Sequence, residues 1–399
     1  MTNEVLQKIA SDEQNISSSN GLEPKLRFKE FDGKWSRNIL GNCCDIIMGQ
    51  SPDSSSYNNN CIGLPLVQGN ADMCERIATP QRYTSQPTKI CEAGSIILSV
   101  RAPVGTVGKT FQKICLGRGV CGITSKNIEF MYQYLLNNEN SWRHIEQGGT
   151  FTAIYSDDIK SFPIILPSLP EQKKIADFLS LIDQRIEKQR QLVENLKKYK
   201  RGLLSAIFDN KLIGENWKKY KLSSILKERS TYSEKDGSYE HVTLSRDGII
   251  PKTERYDRDF LVSSENKKYK ITKMGDICYN PANMKFGVIC LNTYGNAIFS
   301  PIYITFEIKS DFDKPFVGLY MTRNDFINRS LKFQQGTVYE RMAVSPEDLL
   351  SMDIELPNLE AQKRISNIFT ILDKKIVREN NIFNELQKMK RALLQQMFI

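Results

Sequence analysis

Two stretches of this chain, Leu166–Phe208 and Leu356–Phe398, repeat each other at a constant offset of 190 without a gap, with 15 identities in 43 positions. Other positions exchange like for like, such as Lys174 with Arg364 and Leu192 with Ile382. Both stretches open on Leu-Pro-x-Leu, where proline keeps the chain extended before helical periodicity begins. Apolar residues then recur at Ile175, Leu179, Ile182, Ile186, Val193 and Leu196, and again at Ile365, Phe369, Leu372, Ile376, Phe383 and Leu386. Steps of four and three are the a/d pattern of a coiled-coil seam. One seam position is polar in both copies, Gln189 and Glu379, which fixes register rather than adding stability. At ~1.5 Å per residue, a helix of about 38 residues is roughly 57 Å long. That length and so narrow a stripe predict two helices packed on each other, not two covers for ordinary cores.

The duplication extends, more loosely, to what precedes each helix. Gly33-Lys-Trp35 with Leu40 is echoed by Gly214-Glu-Asn-Trp217 with Leu222. The regions between each Trp and its helix share few identities. Both alternate short β-like runs, Gly94–Val100 in the first and Tyr303–Ile308 in the second, with Gly, Pro and Asn turns. Each closes on a glycine–threonine loop, Gln147-Gly-Gly-Thr150 and Gln335-Gly-Thr337. The expected plan is a flexible segment (1–21), a variable domain (22–165), a helical spacer (166–212), a second variable domain (213–355) and a second spacer (356–399). The fold class is α+β: two α/β domains with mixed, mostly antiparallel sheets, joined by two long helices in an antiparallel coiled coil with a pseudo-twofold.

Composition narrows the partners. A net charge of +9 suits phosphate neutralisation, though only as a weak pointer. Nine cysteines include no C-x-x-C pair, and the two histidines, His144 and His241, lie near no cysteine cluster. No metal is expected; buried free thiols in a reducing compartment are. Met1–Gly21 lacks the apolar run of a signal peptide, and the best apolar stretch, Phe162–Leu166, falls far short of the ~20 residues that span a bilayer. A cytoplasmic protein without a membrane partner is expected.

The run Leu-Pro-x-Leu-x-x-Gln-Lys-x-Ile, at 166–175 and again at 356–365, resembles the conserved-region signature of the specificity subunits of type I restriction–modification enzymes. The plan is similar to theirs from about Leu26 to the C-terminus. Ser99-Val-Arg-Ala-Pro-Val-Gly105 and Gly117-Arg-Gly119 resemble segments of many target recognition domains in that family. Tyr279-Asn-Pro-Ala-Asn-Met284, in the comparable place of the second region, departs from that subtype. The resemblance implies a non-catalytic subunit that recognises an asymmetric, bipartite site on double-stranded DNA. Each variable domain would read one half, and the coiled coil would set the spacer. It further implies two methyltransferase subunits docked on the conserved helices, with restriction subunits joining afterwards. S-adenosylmethionine, ATP and Mg²⁺ would belong to those partners, and no cofactor to this chain.

Several motifs imitate catalysis. Asn280-Pro281-Ala282-Asn283 lacks the second proline and the aromatic of an adenine methyltransferase motif. Gly108-Lys109-Thr110 imitates a P-loop tail, but Pro103 stands where the cradle needs glycine. Glu307-Ile308-Lys309 lacks the partner acid of a nuclease core. The remaining alternatives are a divergent single-chain methyltransferase or nuclease, and a coiled-coil adaptor that does not bind DNA.

Base edges are read by Arg, Lys, Asn, Gln and Ser on loops. In the first domain this favours Gln68, Asn70, Arg101, Arg118, Gln147, Gly149 and Thr150. In the second it favours Ser245, Arg246, Asn283, Lys285, Gln335, Gly336, Thr337, Tyr339 and Arg341. The basic runs Lys197–Arg201 and Lys388–Arg391 recur at equivalent helix positions, which suggests a common partner or the phosphate backbone.

Overall fold

The computed structural model describes residues 23–145, 153–209, 217–234, 237–246, 248–252, 268–334 and 343–399. They form two units, Met1–Gln191 with Asn380–Ile399, and Leu192–Glu379. Two long helices, Leu169–Phe208 and Leu359–Met397, each give their N-terminal half to one unit and their C-terminal half to the other.

In the first unit, Ser36–Ile39 pairs antiparallel with Pro163–Leu166 and so closes the domain at the base of its helix. A six-stranded sheet runs in the order Cys44–Met48, Val120–Ser125, Ile96–Ser99, Val107–Lys109, Ile77–Ala78, Met73–Cys74. A five-stranded sheet is built on Leu64–Val67 and Ile114–Leu116. Each sheet holds one parallel pairing among antiparallel ones. The helix Ile128–Asn137 starts where the Asn127 side chain accepts from Phe130 N at 3.3 Å, a cap for an otherwise orphaned donor.

The second unit repeats this design. Lys218–Lys221 pairs antiparallel with Asp353–Leu356, in the register of the first unit's closing pair. A four-stranded antiparallel sheet contains Ile277–Tyr279 and Ile304–Ile308, and a five-stranded sheet carries one parallel pairing, Glu240–Ser245 with Ala297–Phe299. The helix Lys314–Met321 is capped by Asp313, which accepts from Phe316 N at 2.9 Å. The α+β class with mostly antiparallel sheets is therefore present as read from the sequence.

Within each unit the helices run antiparallel. In the first, Ile175 and Leu179 share a core with Leu394, Met397 and Phe398. In the second, Ile207 and Phe208 share a core with Ile365 and Phe369. All twelve seam residues are buried or half-buried. Asp183 pairs with Lys390 in the first unit and Asp373 with Lys200 in the second, the latter at 2.5 Å. The offset of 190 carries each pair onto the other. This corrects the reading of the basic runs for one lysine in each: Lys200 and Lys390 are paired with a carboxylate of the neighbouring helix.

The structure also explains the signature's glutamine. Gln172 Nε2 donates to Pro167 O at 3.0 Å, and Gln362 Nε2 to Pro357 O at 2.8 Å. Each buried amide ties the extended Leu-Pro segment to the first turn of the helix that follows it. The far ends of the helices are held by aromatic sockets. Phe398 lies 6.4 Å from Trp35, 5.4 Å from Phe130 and 5.6 Å from Tyr134. Phe208 lies 6.0 Å from Trp217, 5.4 Å from Phe316 and 5.7 Å from Tyr320.

Candidate nucleic-acid interface

The first unit gathers four of the sequence candidates into one cleft. The buried strand Ile96–Ser99 runs into Val100–Val104, where Arg101, Ala102 and Pro103 are exposed between buried valines. That turn is stapled on both sides. Val100 N donates to Gly119 O at 2.9 Å, and Val100 O accepts from Ile154 N at 3.0 Å. Ser99 Oγ donates to Pro103 O at 2.7 Å and accepts from Thr106 N at 2.8 Å. Arg101 therefore leaves a fixed backbone with its guanidinium in solvent.

Arg118 is placed by its two glycines. A Cβ at Gly117 would lie 2.9 Å from Gln68 Cα, and one at Gly119 would overlap the Gln68 carbonyl oxygen. Only glycine permits this approach. The intervening Arg118 N donates to Ser51 Oγ at 3.2 Å, and its side chain is exposed. Gln68 is held in turn: its N–H donates to Asp72 Oδ2 at 2.6 Å and its Nε2 to the Tyr57 hydroxyl at 2.9 Å. Ser51, Gln68, Gly69, Asn70, Arg101, Ala102, Arg118 and Gly119 together line a cleft of about 280 Å³. No carboxylate is among these lining residues. Ser51 and the supports Tyr57 and Asp72 were not singled out from the sequence; Asp72, four residues after Gln68, was the visible sign of a side-chain-closed turn.

Gly119→Ala is expected to destabilise the first unit by about 1–3 kcal/mol, because the new methyl meets backbone that cannot rotate away. Thermal unfolding indistinguishable from the parent chain would contradict this packing.

The second unit presents the same corner with other side chains. Pro281 O accepts from Val344 N at 3.2 Å, in the place of the Val100–Ile154 bond. Asn280 caps the turn Pro281–Phe286, its side chain accepting from Ala282 N at 3.1 Å. Asn283 is half-buried on this turn. Lys285 is exposed, its Nζ 5.1 Å from the Phe286 ring centroid. Ser245 and Arg246 sit on a different turn, where Ser245 Oγ donates to Gly248 O at 3.0 Å to close a hairpin. Gln147, Gly149, Thr150, Gln335, Gly336, Thr337, Tyr339 and Arg341 lie outside the described residues.

The catalytic look-alikes have structural employment. Lys109 Nζ bonds Glu129 at 2.5 Å and stands 4.1 Å over the Tyr132 ring. Glu307 pairs with Arg229 at 3.3 Å, and Lys309 Nζ donates to Ser223 O at 3.1 Å. Burial pushes the Cys44 and Cys121 thiols up to about 12, so neither is a nucleophile near neutral pH. Among the described residues no three His, Cys, Asp or Glu side chains could hold a metal ion, and no helix is long and apolar enough to cross a membrane.

A family model for the type I restriction modification DNA specificity domain matches the chain twice, at residues 33–197 and 214–388. The chain belongs to this family. Each match joins one variable domain to most of its helix, which is the repeat seen in the fold. The chain is 38% identical over 194 residues to the type I restriction enzyme MjaX specificity subunit of Methanocaldococcus jannaschii, covering 47% of this chain and 46% of that one. To the MjaIX specificity subunit of the same organism it is 30% identical over 130 residues, covering 31% and 30%. These matches thus span about half or less of the relatives' length. The crystal structure of a type I restriction–modification S subunit from M. genitalium has the same fold. Its TM-score is 0.61 over 95% of this chain and 99% of that one, at 16% identity.

Proposed function

We propose that this chain is the non-catalytic, cytoplasmic DNA-recognition subunit of a type I restriction–modification complex, each unit reading one half of an asymmetric bipartite site. One observation carries the reading: a single backbone corner occurs twice, with dissimilar polar side chains. Val100 O with Ile154 N, and Pro281 O with Val344 N, define that corner. Arg101 stands there in the first unit, and Asn283 and Lys285 in the second. A shared scaffold with exchanged reading groups fits two different short sequences, since base edges are distinguished by donor and acceptor pattern. Rim lysines would supply the phosphate contacts that position without specifying.

Two methyltransferase subunits would dock on the repeated helices. The exposed apolar residues there recur at the same offset, Leu181 with Ile371 and Tyr199 with Met389. One partner met twice explains why both copies keep them, since an apolar patch left in water is costly. Restriction subunits would join this assembly, and S-adenosylmethionine, ATP and Mg²⁺ would act in those partners.

Exchange of residues 22–165 for the matching domain of another family member tests the reading. Methylome mapping with the methyltransferase subunit present is expected to show one half-site replaced and the other retained. A change in both halves would overturn the two-head arrangement. The purified chain alone, given S-adenosylmethionine, ATP and Mg²⁺, is expected to neither methylate nor cut DNA.

A further inference from the structure

We propose that Arg101 and Arg118 read guanine, so that the half-site taken by the first unit contains at least one G·C pair contacted by these side chains. This rests on the DNA-recognition reading above and gives it a base identity.

Both arginines are preorganised. Arg101 follows a residue whose N–H and C=O are each bonded within the unit, to Gly119 and Ile154. Arg118 lies between two glycines pressed against Gln68. Both guanidinium groups are exposed, yet both leave the backbone at positions that cannot easily shift. With the backbone already fixed, only the side-chain rotamers remain to be ordered on binding.

Both are also uncommitted among the described residues. Arg27, Arg76 and Arg190 of the same unit are clamped by Glu171, Glu139 and Glu187. No described carboxylate pairs with Arg101 or Arg118, and none lines their cleft. The cleft instead places them beside Gln68 and Asn70, the amide side chains suited to base edges. Guanidinium and amide groups gathered in one cleft are the donor and acceptor set that reads base edges.

The acceptor pair that such a fork satisfies is O6 and N7 of guanine, which no other base presents in the major groove. At the same corner the second unit has Asn283 and Lys285, so an arginine fork on this turn belongs to the first unit alone.

The test compares wild-type, R101A and R118A chains, each assembled with the methyltransferase subunit. Methylomes, salt-dependent DNA affinity and unfolding midpoints are measured for each. The half belonging to the first unit is the one altered by exchange of residues 22–165. The wild-type motif should carry a G·C pair in that half. At least one variant should lose about 10- to 100-fold of discrimination at such a pair, with the other half intact and the midpoint unchanged. A first half-site made only of A·T pairs overturns the proposal while leaving the bipartite reading standing. So does uniform weakening with an intact motif and a salt slope shallower by about one, the mark of a phosphate contact. A wild-type complex that methylates no bipartite site overturns both.

Discussion

Phe398→Ala is expected to destabilise the first unit by about 3–5 kcal/mol, the usual cost of deleting a buried aromatic ring from a packed core. Phe398 is buried and meets the edges or faces of Trp35, Phe130 and Tyr134 at ring separations of 5.4–6.4 Å. Edge-to-face contacts of this kind add to plain burial. The midpoint of the first unit's unfolding should fall by roughly 6–20 °C. Phe208→Ala should do the same to the second unit, where Trp217, Phe316 and Tyr320 form the socket and the Arg323 guanidinium stacks 4.5 Å from the ring centroid. Calorimetry resolves the matter: a change below about 1 kcal/mol in both variants would mean the sockets do not hold the helix ends.

Asp183→Lys should cost about 2–4 kcal/mol, and Lys390→Asp added to it should recover most of that loss. The Lys390 side chain is only 12% exposed, so its ammonium has little water to turn to once Asp183 is gone. Burial already pulls the Lys390 pKa below the usual lysine value, with Asp183 opposing that shift. Recovery should be incomplete, because the buried Gln133 amide donates to Asp183 Oδ2 at 2.7 Å and the swap removes that acceptor. Asp373→Lys breaks the equivalent pair but should cost no more than about 1 kcal/mol. There the side chains are 27% and 47% exposed, and water can replace the lost partner. Equal losses at Asp183 and Asp373, measured by denaturant unfolding, would contradict the assignment of the cost to burial.

The seam of the helix pair was legible in the sequence because it depends on local periodicity, and the repetition doubled the signal. The Trp-to-Leu echo at Trp35 and Trp217 marked where each repeat begins, but not that the strand after each Trp closes onto the one before its helix. The sockets were not legible either. Phe130 and Tyr134 lie in the unrepeated region, and nothing local ties them to Phe398 far along the chain. The Asp–Lys pairs lay in plain view inside the repeat, but a charged residue on a helix reads as a solvated face until a second helix is set against it. For the cleft, polar side chains next to glycine singled out Gln68, Asn70 and Arg118, and the Arg-Ala-Pro-Val-Gly turn singled out Arg101. That Gly119 presses on the Gln68 carbonyl, and that Tyr57 and Asp72 hold Gln68 still, depends on strand order, which the sequence does not spell out.

The Asp–Lys pairing has one more property. Each long helix carries both members, Asp183 with Lys200 in the first and Asp373 with Lys390 in the second. Each helix is therefore its own electrostatic complement when laid antiparallel against a copy of itself. The halves of this chain share one electrostatic mating rule, while each terminal phenylalanine also needs an aromatic socket from the domain it enters. Two halves that keep the aspartate, the lysine and the terminal phenylalanine, and whose domains offer that ring its aromatic socket, meet the same pairing requirements. Exchanging intact halves then keeps the electrostatic match and shifts the whole burden of compatibility onto the sockets.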